Sequence, residues 1–374
     1  MQQKIGGFFN MAATRTKFPF RGNARQRIQR VADVPFTPNG RVSIELPRVG
    51  YLAGIHIQIA GGLSRTAGDT GNFSDQFFNI LRRASVNLNI GASQIFDVSG
   101  HGINLINQAM SFNFAADLGG DGNTSLPAPL ERTADPAVFS GLATVPLALS
   151  PLVFAYWIPI AMNDGLNFNV GLINLQAPEI RATLDLQFGD LTDLFEPGAT
   201  LTGTAFGNAN GVRVHYLYYE VPNPDLVDIP PYIVHRWVQE RQAIAAVGDQ
   251  VYTVPRMGQI QRIIHSVQIN GVTSTGLATD LVIRVNKTDE IYRMTQSMNR
   301  WLSNMRYGHK VPRGAFYHDW WRAADLNAAG DFRDVIDSEQ ISTLESIVGI
   351  YPAAVLGSGN NFLDTIREFT QRLA

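Results

Sequence analysis

The chain has 374 residues, which suits two domains of ordinary size and is long for a single β-sandwich. It has no cysteine, which excludes disulfides and thiolate chemistry, and its net charge of −2 excludes a globally basic nucleic-acid-binding protein. Charged residues make up only 17%, so we expect neighbouring molecules to cover much of the surface.

The first 34 residues are basic, and we predict that they form an extended N-terminal arm and not part of a core. No acidic residue precedes Asp33, and the segment lacks the apolar stretch of a secretory signal, so no targeting segment is assigned. An arm of this kind can clasp a neighbouring subunit, bind an anionic lipid surface or neutralise nucleic-acid phosphates. The sequence leaves these roles open. The candidate contact residues are Lys4, Arg15, Lys17, Arg21, Arg25, Arg27 and Arg30.

Short runs that alternate apolar and polar residues predict a β-rich first domain at 35–221. Its predicted strands lie at 41–47, 51–61, 84–90, 151–161, 179–188 and 211–221. Short helices are expected at 75–83 and 101–110. The uncharged stretch 138–163 has the length of a membrane span, but its three prolines favour a buried strand with a bulge.

Four prolines at 222–231 predict an irregular linker, which a second β-rich domain follows at 232–374. Its predicted strands lie at 252–255, 262–271, 280–286, 315–321, 342–352 and 362–373. One helix is expected at 288–305, with Thr288 as its N-cap and an acidic pair directly after it.

The two halves echo each other in the same order, which predicts one domain made twice. The segment 46–50 (LPRVG) corresponds to 254–258 (VPRMG), and each leads into an alternating strand that ends at glycine. Two later pairs, each 196 residues apart, are Val86 with Val282 and Ile95 with Ile291. A repeat this long, in a chain rich in short strands, is typical of a duplicated sandwich or jelly roll.

Three segments in the first half resemble the double jelly-roll major capsid proteins of tailless, internal-membrane phages typified by PRD1. They are the strand 156–161 (YWIPIA), a helix-like connection at 165–176 and the strand 180–188. In that family a Trp-Val/Ile-Pro-Leu/Ile-Ala strand precedes a short helical loop and a Leu-x-Leu-x-Phe strand. The segment 311–317 (VPRGAFY) is similar to the family's Pro-Lys-Gly-Val-Tyr-Tyr segment, and a basic arm is also a family trait.

The resemblance implies an all-β fold of two tandem eight-stranded jelly rolls with short helices in the connections. It further implies a bacteriophage capsid protein, not an enzyme, whose pseudo-hexameric homotrimers tile an icosahedral shell over an internal lipid membrane. The implied partners are neighbouring trimers, penton or minor capsid proteins and, through the arm, membrane lipid, without sequence-specific nucleic-acid binding. The expected location is the virion, after assembly in the host cytoplasm.

Motifs for catalysis or metal binding are weak in this sequence. The seven histidines show none of the HxH, HxxxH or HExxH spacings, so no metal or cofactor site is predicted. There is no GxSxG motif. The acidic pairs Asp190/Asp193 and Asp334/Asp337 are better interpreted as a helix start and a polar loop than as glycosidase carboxylates.

An alternative function is a carbohydrate-binding β-sandwich protein, such as a viral spike or a lectin. Tyr317, Trp320 and Trp321, followed by Arg322, could form a stacking platform for a sugar or a base. Aromatic clusters in sandwiches more often fill a core or an interface, which is the competing interpretation. An outer-membrane-associated β protein is a third possibility, disfavoured by the missing signal peptide.

Overall fold

The computed structural model describes most of the chain. The described residues are 18–20, 23–64, 66–70, 74, 76–89, 93–110, 150–162, 171–195, 199–201, 205–207, 211–223, 227–228, 233–273, 278–307, 314–320, 335–351, 356 and 361–372.

The regular structure described in the first half consists mainly of strands. They are β1 (Phe18–Pro19), β2 (Arg25–Val34), β3 (Arg41–Glu45), β4 (Tyr51–Ser64), β5 (Leu81–Leu88), β6 (Ser93–Val98), β7 (Ser150–Pro159), β8 (Ile173–Asn174), β9 (Ala182–Phe188), β10 (Ala205–Gly207) and β11 (Val212–Glu220). One sheet has the order β7-β4-β11-β2, and the other has the order β3-β9-β5-β6. Two four-stranded sheets in these orders make an eight-stranded jelly roll.

The second half repeats this arrangement. Its strands are β12 (Val227–Asp228), β13 (Ile233–Ala243), β14 (Gly248–Val254), β15 (Gln259–Ile269), β16 (Val272–Thr273), β17 (Ala278–Val285), β18 (Asp289–Thr295), β19 (Ala315–Asp319), β20 (Ile336–Asp337), β21 (Leu344–Ile350) and β22 (Phe362–Arg372). The orders β19-β15-β22-β13 and β14-β21-β17-β18 match those of the first half strand by strand.

Two α-helices follow equivalent strands of the two rolls. Helix α1 (Gly100–Ala109) follows β6, and helix α2 (Gln296–Tyr307) follows β18. Two short 3-10 helices lie at Phe77–Ile80 and Leu191–Leu194. Within the described residues, no helix has both the length and the apolar character that crossing a membrane requires.

Alternation in the sequence becomes a buried face in each roll. In β9 and β11 every second side chain is buried, so one face of each strand packs on the core. The first roll's core contains Ile55, Val86 and Leu184, from both of its sheets. The second roll's core contains Ile263 and Ile283, which likewise come from both of its sheets.

The internal repeat is present in three dimensions, with one correction to the sequence alignment. Ile95 and Ile291 are equivalent, because each is the extra residue at the bulge in its hairpin. Val86 is equivalent to Ile283 and not to Val282, because Val86 and Ile283 both face a core. The predicted pairing is one residue off because the second hairpin has a turn one residue shorter.

The basic segment differs from the predicted arm at its C-terminal end. Residues Arg25–Val34 form β2, which pairs with β11 and completes a sheet of the first roll. As an edge strand with exposed side chains, β2 lacks the apolar alternation by which its neighbours were predicted. The linker also contains more regular structure than predicted, since Val227–Asp228 pairs in parallel with Phe18–Pro19.

Three predicted helical segments are wrong in part. The helix expected at 288–305 begins only at Gln296, because the residues before it form β18 and pair with β17. At 75–83 only Phe77–Ile80 is helical, and β5 begins directly afterwards. In the connection at 165–176, the described residues include the short strand Ile173–Asn174. In each case long-range strand pairing overrides the local pattern.

Candidate assembly surfaces

The two jelly rolls meet at a buried seam within the chain. Strand β6 of the first roll pairs in parallel with β13 of the second through Phe96 and Trp237, which are both fully buried. Ile264, Tyr317 and Ile366 of the second roll belong to the same hydrophobic cluster as the first roll's core. The first roll's apolar core therefore continues across the seam onto the outer sheet face of the second roll, which also has a separate core of its own.

Helix α1 is buried along this seam. Its N-cap Ser99 accepts a hydrogen bond from the Gly102 amide (3.1 Å) and donates its own amide to the Gln239 side chain of β13 (2.8 Å). The Tyr317 hydroxyl of β19 donates to the backbone carbonyl of Leu105 (3.4 Å). The second roll thus contacts both the beginning and the middle of the first roll's helix.

A buried ion cluster lies in the second roll's sheet at the seam. The Arg262 guanidinium is 2.9 Å from the Asp319 carboxylate and 3.1 Å from the Glu368 carboxylate, and all three side chains are at most 2% exposed. Burial alone would lower the pKa of Arg262, but the two carboxylates raise it above its ordinary value. One cation thus faces two carboxylates.

The histidine His235 joins this cluster to the first roll. Its Nδ1 is 3.1 Å from the carbonyl oxygen of Ile160, in the first roll, and its Nε2 is 2.9 Å from Oε1 of Glu368. The ring thus links the buried ion cluster of the second roll to a backbone carbonyl of the first.

Three further histidines are buried in and beside the second roll. Burial lowers the pKa of His101 to about 4, and it lowers the pKa of His265 and His318 to about 3. The ring nitrogens of His265 lie 2.9 Å from Thr365 Oγ1 and 2.6 Å from Ser346 Oγ. These rings are neutral core residues at physiological pH. The described residues include no group of three or more His, Asp or Glu that could hold a metal ion.

A polar cavity of about 470 Å³ opens beside the seam and is lined by three arginines. Each arginine is paired with a carboxylate of the chain. The pairs are Arg82 with Asp193, Arg83 with Asp97, and Arg241 with Asp364. The protein itself therefore neutralises the cations of this cavity.

The acidic pair Asp190/Asp193 forms a capping box on the 3-10 helix at Leu191–Leu194, as the predicted helix start requires. Asp190 accepts a hydrogen bond from the Thr192 amide (2.8 Å), and Asp193 accepts one from the Asp190 amide (2.8 Å). Of the second pair, Asp337 accepts the Glu339 amide in a turn (3.0 Å), and Asp334 lies outside the described residues.

The aromatic cluster considered as a sugar platform is largely packed inside. Tyr317 lies in the seam at 1% exposure, and Trp320 meets the buried His318 ring edge to face, with 4.1 Å between centroids. Trp321 and Arg322 lie outside the described residues. Packing is therefore the observed role of the two aromatic residues that are described.

Three of the seven arm cations are described, and they lie on the exposed edge strand β2. Arg27 forms an ion pair with Glu220 (3.2 Å) in which both side chains are about half exposed, and Arg30 pairs with Asp33. Arg25 is exposed at the start of the strand. The four arm cations outside the described residues are Lys4, Arg15, Lys17 and Arg21.

Exposed apolar side chains concentrate on α2 and at the open sheet edges. Met298, Trp301 and Met305 lie at helical spacing on α2 and are 52%, 56% and 49% exposed. Ile28 on β2 is 71% exposed, and Ile291 on β18 is 44% exposed. Large apolar side chains that remain exposed on one face of a helix are candidates for an interaction site.

Several solved viral structures have a similar fold. The major capsid protein of Sulfolobus turreted icosahedral virus matches with a TM-score of 0.62 at 12% identity, covering 92% of this chain and 97% of that one. PBCV-1 VP54 matches with a TM-score of 0.58 at 12% identity, covering 95% of each chain. The major capsid protein P2 of bacteriophage PM2 matches with a TM-score of 0.50 at 11% identity, covering 94% of this chain and 98% of that one.

The chain has the double jelly-roll fold. The matches span both rolls, since they cover at least nine tenths of every chain compared. No family model and no curated protein matches the sequence.

The double jelly roll contains contact residues that sequence reasoning missed. Arg262, Glu368 and His235 lie in strands whose patterns gave no sign that a neighbouring domain covers the outer face. The sequence signal for this cover was in β15, where the simple alternation of apolar and polar residues is lost. Nearly all residues of that strand are buried in the structure. Helix α2 was predicted with its start placed too early, and the exposure of its apolar residues was not identified.

Proposed function

We propose that the chain is a major capsid protein that assembles as pseudo-hexameric homotrimers into an icosahedral shell over an internal lipid membrane. The observation that carries the proposal is the fold itself, two jelly rolls fused across a continuous core and similar over nearly their full length to viral coat proteins. The exposed apolar helix and the open sheet edges at β2 and β18 support an assembling role, since such surfaces call for partners.

The proposed partners are neighbouring trimers, penton or minor capsid proteins, and lipid. The proposed location is the virion of a bacteriophage, after assembly in the host cytoplasm, without catalysis or sequence-specific nucleic-acid binding. Arg25, Arg27 and Arg30 are assigned here to subunit contacts, because they lie on a strand of the sheet. The lipid or neighbour-clasping role is assigned to Lys4, Arg15, Lys17 and Arg21.

The assembly proposal is tested by expressing the chain and measuring its mass by native mass spectrometry and its shape by electron microscopy. We expect trimers with a six-lobed outline that form shells. A stable monomer that is absent from any particle would overturn the proposal.

The arm is tested by deleting residues 1–17, which leaves Phe18–Pro19 and its pairing with Val227–Asp228 in place. We expect trimers to form but to lose binding to vesicles that contain anionic lipid, measured by flotation. A matched control replaces Lys4, Arg15 and Lys17 with glutamine in the full chain. Unchanged flotation and unchanged shell assembly in both variants would refute the proposed roles of the arm.

A further inference from the structure

The repeat relates the two α-helices residue by residue. Ser99 Oγ accepts the Gly102 amide at 3.1 Å, and Thr295 Oγ1 accepts the Met298 amide at 3.4 Å, so the two caps are equivalent. The same spacing of 196 residues relates the bulge residues of the preceding strands. Helices α1 and α2 are therefore the same element of the two rolls.

The environments of the two helices are opposite. Helix α1 is buried against the second roll, and a side chain at Gly102 would meet Gln239 Oε1 at 2.6 Å and Ile366 Cδ1 at 3.1 Å. The α1 residues Gly102, Leu105 and Ala109 correspond to Met298, Trp301 and Met305 on α2. All three on α1 are buried, whereas all three on α2 are about half exposed. Among the described residues, no neighbouring roll covers α2 as the second roll covers α1.

The surface that would correspond lies on the first roll. The outer face of its sheet β7-β4-β11-β2 is equivalent to the face of β19-β15-β22-β13 that forms the seam. Strand pairing aligns Trp157 with Tyr317, because both lie opposite equivalent residues of β4 and β15. It aligns His215 with Ile366 in the same way. Trp157 and His215 are partly exposed, whereas their counterparts are buried.

The edge strands β2 and β18, which are equivalent to the seam strands β13 and β6, carry complementary charges. In the seam, Arg236 of β13 donates to Ser93 of β6 at 3.0 Å. Strand pairing aligns Arg236 with Arg27 on β2, and it aligns Ser93 with Asp289 on β18. Asp289 is exposed, and the Arg27 guanidinium is about half exposed beside Glu220. If the seam were repeated between two chains, Arg27 of one chain would lie beside Asp289 of the other. An ion pair would then replace the Arg236–Ser93 hydrogen bond of the seam.

We propose that α2 and β18 of one copy dock on the outer face of β7-β4-β11-β2 of a second copy and so repeat the internal seam. Trp301 lies against Trp157, Met298 lies against His215, and Asp289 pairs with Arg27. The contact is head to tail, and in the closed ring of the proposed trimer it leaves no copy with an open helix. This assignment rests on the proposed trimer and specifies which surfaces form it.

A charge exchange tests the contact. Arg27→Asp and Asp289→Arg, made singly, each place like charges together, and we expect each to weaken trimers about tenfold or more, measured by mass photometry on dilution. The double variant Arg27→Asp/Asp289→Arg restores the pair and the trimer. Equal weakening in the double variant, with circular dichroism showing all variants folded, would overturn the assignment.

Cross-linking tests the contact independently, because the chain has no native cysteine. With Trp301→Cys and Trp157→Cys in one chain, a short bis-maleimide is expected to give covalent trimers on a denaturing gel. The matched control pairs Trp157→Cys with Val251→Cys, which is 44% exposed and whose first-roll equivalent, Ser43, is exposed as well.

The outcomes separate this inference from the proposed function. If the unmodified chain forms trimers but the 301/157 pair cross-links no better than the 251/157 control, these surfaces are wrong and the capsid proposal stands. If the unmodified chain is a monomer at every concentration, both fail.

Discussion

The outer faces of the two equivalent sheets differ in what covers them. In the second roll the face is covered by the first roll, and Arg262, Ile264 and Glu368 are at most 2% exposed there. In the first roll the same face carries His56 and Trp157, which remain partly exposed. The same sheet topology thus carries buried charged residues in one roll and partly exposed residues in the other. The difference is whether a neighbouring roll covers the outer face of the sheet.

The largest expected effect comes from breaking the covered face. Arg262→Met keeps the length of the side chain but leaves the Asp319 and Glu368 carboxylates without their cation, which costs about 3–5 kcal/mol of unfolding free energy. Urea unfolding measures this loss. Arg41→Met, at an exposed position of β3, is the matched control and should change little. Equal losses in both variants would show that the ion cluster does not hold the seam.

Acid is expected to destabilise the protein through its buried histidines. Unfolded histidine has a pKa near 6.5, whereas the pKa of folded His265 is about 3, so the unfolded chain takes up protons first as the pH falls. Stability is therefore full above pH 6.5 and is lost toward pH 3, by about 1.4 kcal/mol per pH unit for each such histidine.

The variant His265→Asn isolates one of these groups, because an amide can still bond to Thr365 and Ser346. Urea unfolding at pH 8 and pH 5 should show that the variant loses less unfolding free energy between these two pH values than the parent chain does. An unchanged pH slope would contradict the assignment of His265 as a neutral core residue.

The two helices allow a direct comparison of a covered helix, α1, with an exposed one, α2. Gly102→Val places a side chain where Gln239 and Ile366 already lie, and we expect it to cost about 2 kcal/mol. Met298→Val, at the equivalent position of α2, should cost less than about 1 kcal/mol because the Met298 side chain is about half exposed. Differential scanning calorimetry compares the two, and equal losses would deny that the seam distinguishes them.

The smallest difference between the two rolls is expected where they are alike. Asn89 and Asn286 both adopt a left-handed backbone with φ of 53°, at the ends of equivalent strands. Asn89 accepts the Arg181 amide (3.0 Å), and Asn286 accepts the Ser342 amide (2.9 Å). Replacing either by Ala should cost about 1–2 kcal/mol, and by similar amounts in the two rolls. Clearly unequal losses in thermal unfolding would argue against their equivalence.

Strands with one open face could be predicted from the sequence, and strands covered on both faces were predicted less well. Alternation located β9 and β11, since every second residue meets water. It could not reveal that β15 and β22 are covered by another domain, which depends on contacts distant in sequence. The segment from Asp289 was predicted to be helical because an acidic pair after Thr288 favours a helix start locally, whereas pairing with β17 decides its structure.

The candidate surfaces were predicted only in part. The cations of β2 were identified from charge alone, but their place on a sheet edge follows from pairing with β11. The apolar residues of α2 have helical spacing in the sequence, yet their exposure is visible only once the fold is known.

Unpaired strands at a sheet edge can recruit the wrong partner and lead to fibres. Here the edge strands β2 and β18 carry different charges, with arginines at positions 25, 27 and 30 of β2 and acids at the start of β18. Two β2 edges brought together would set arginine against arginine, and two β18 starts would set acid against acid. The charge pattern thus disfavours the pairing of either of these edges with a second copy of itself.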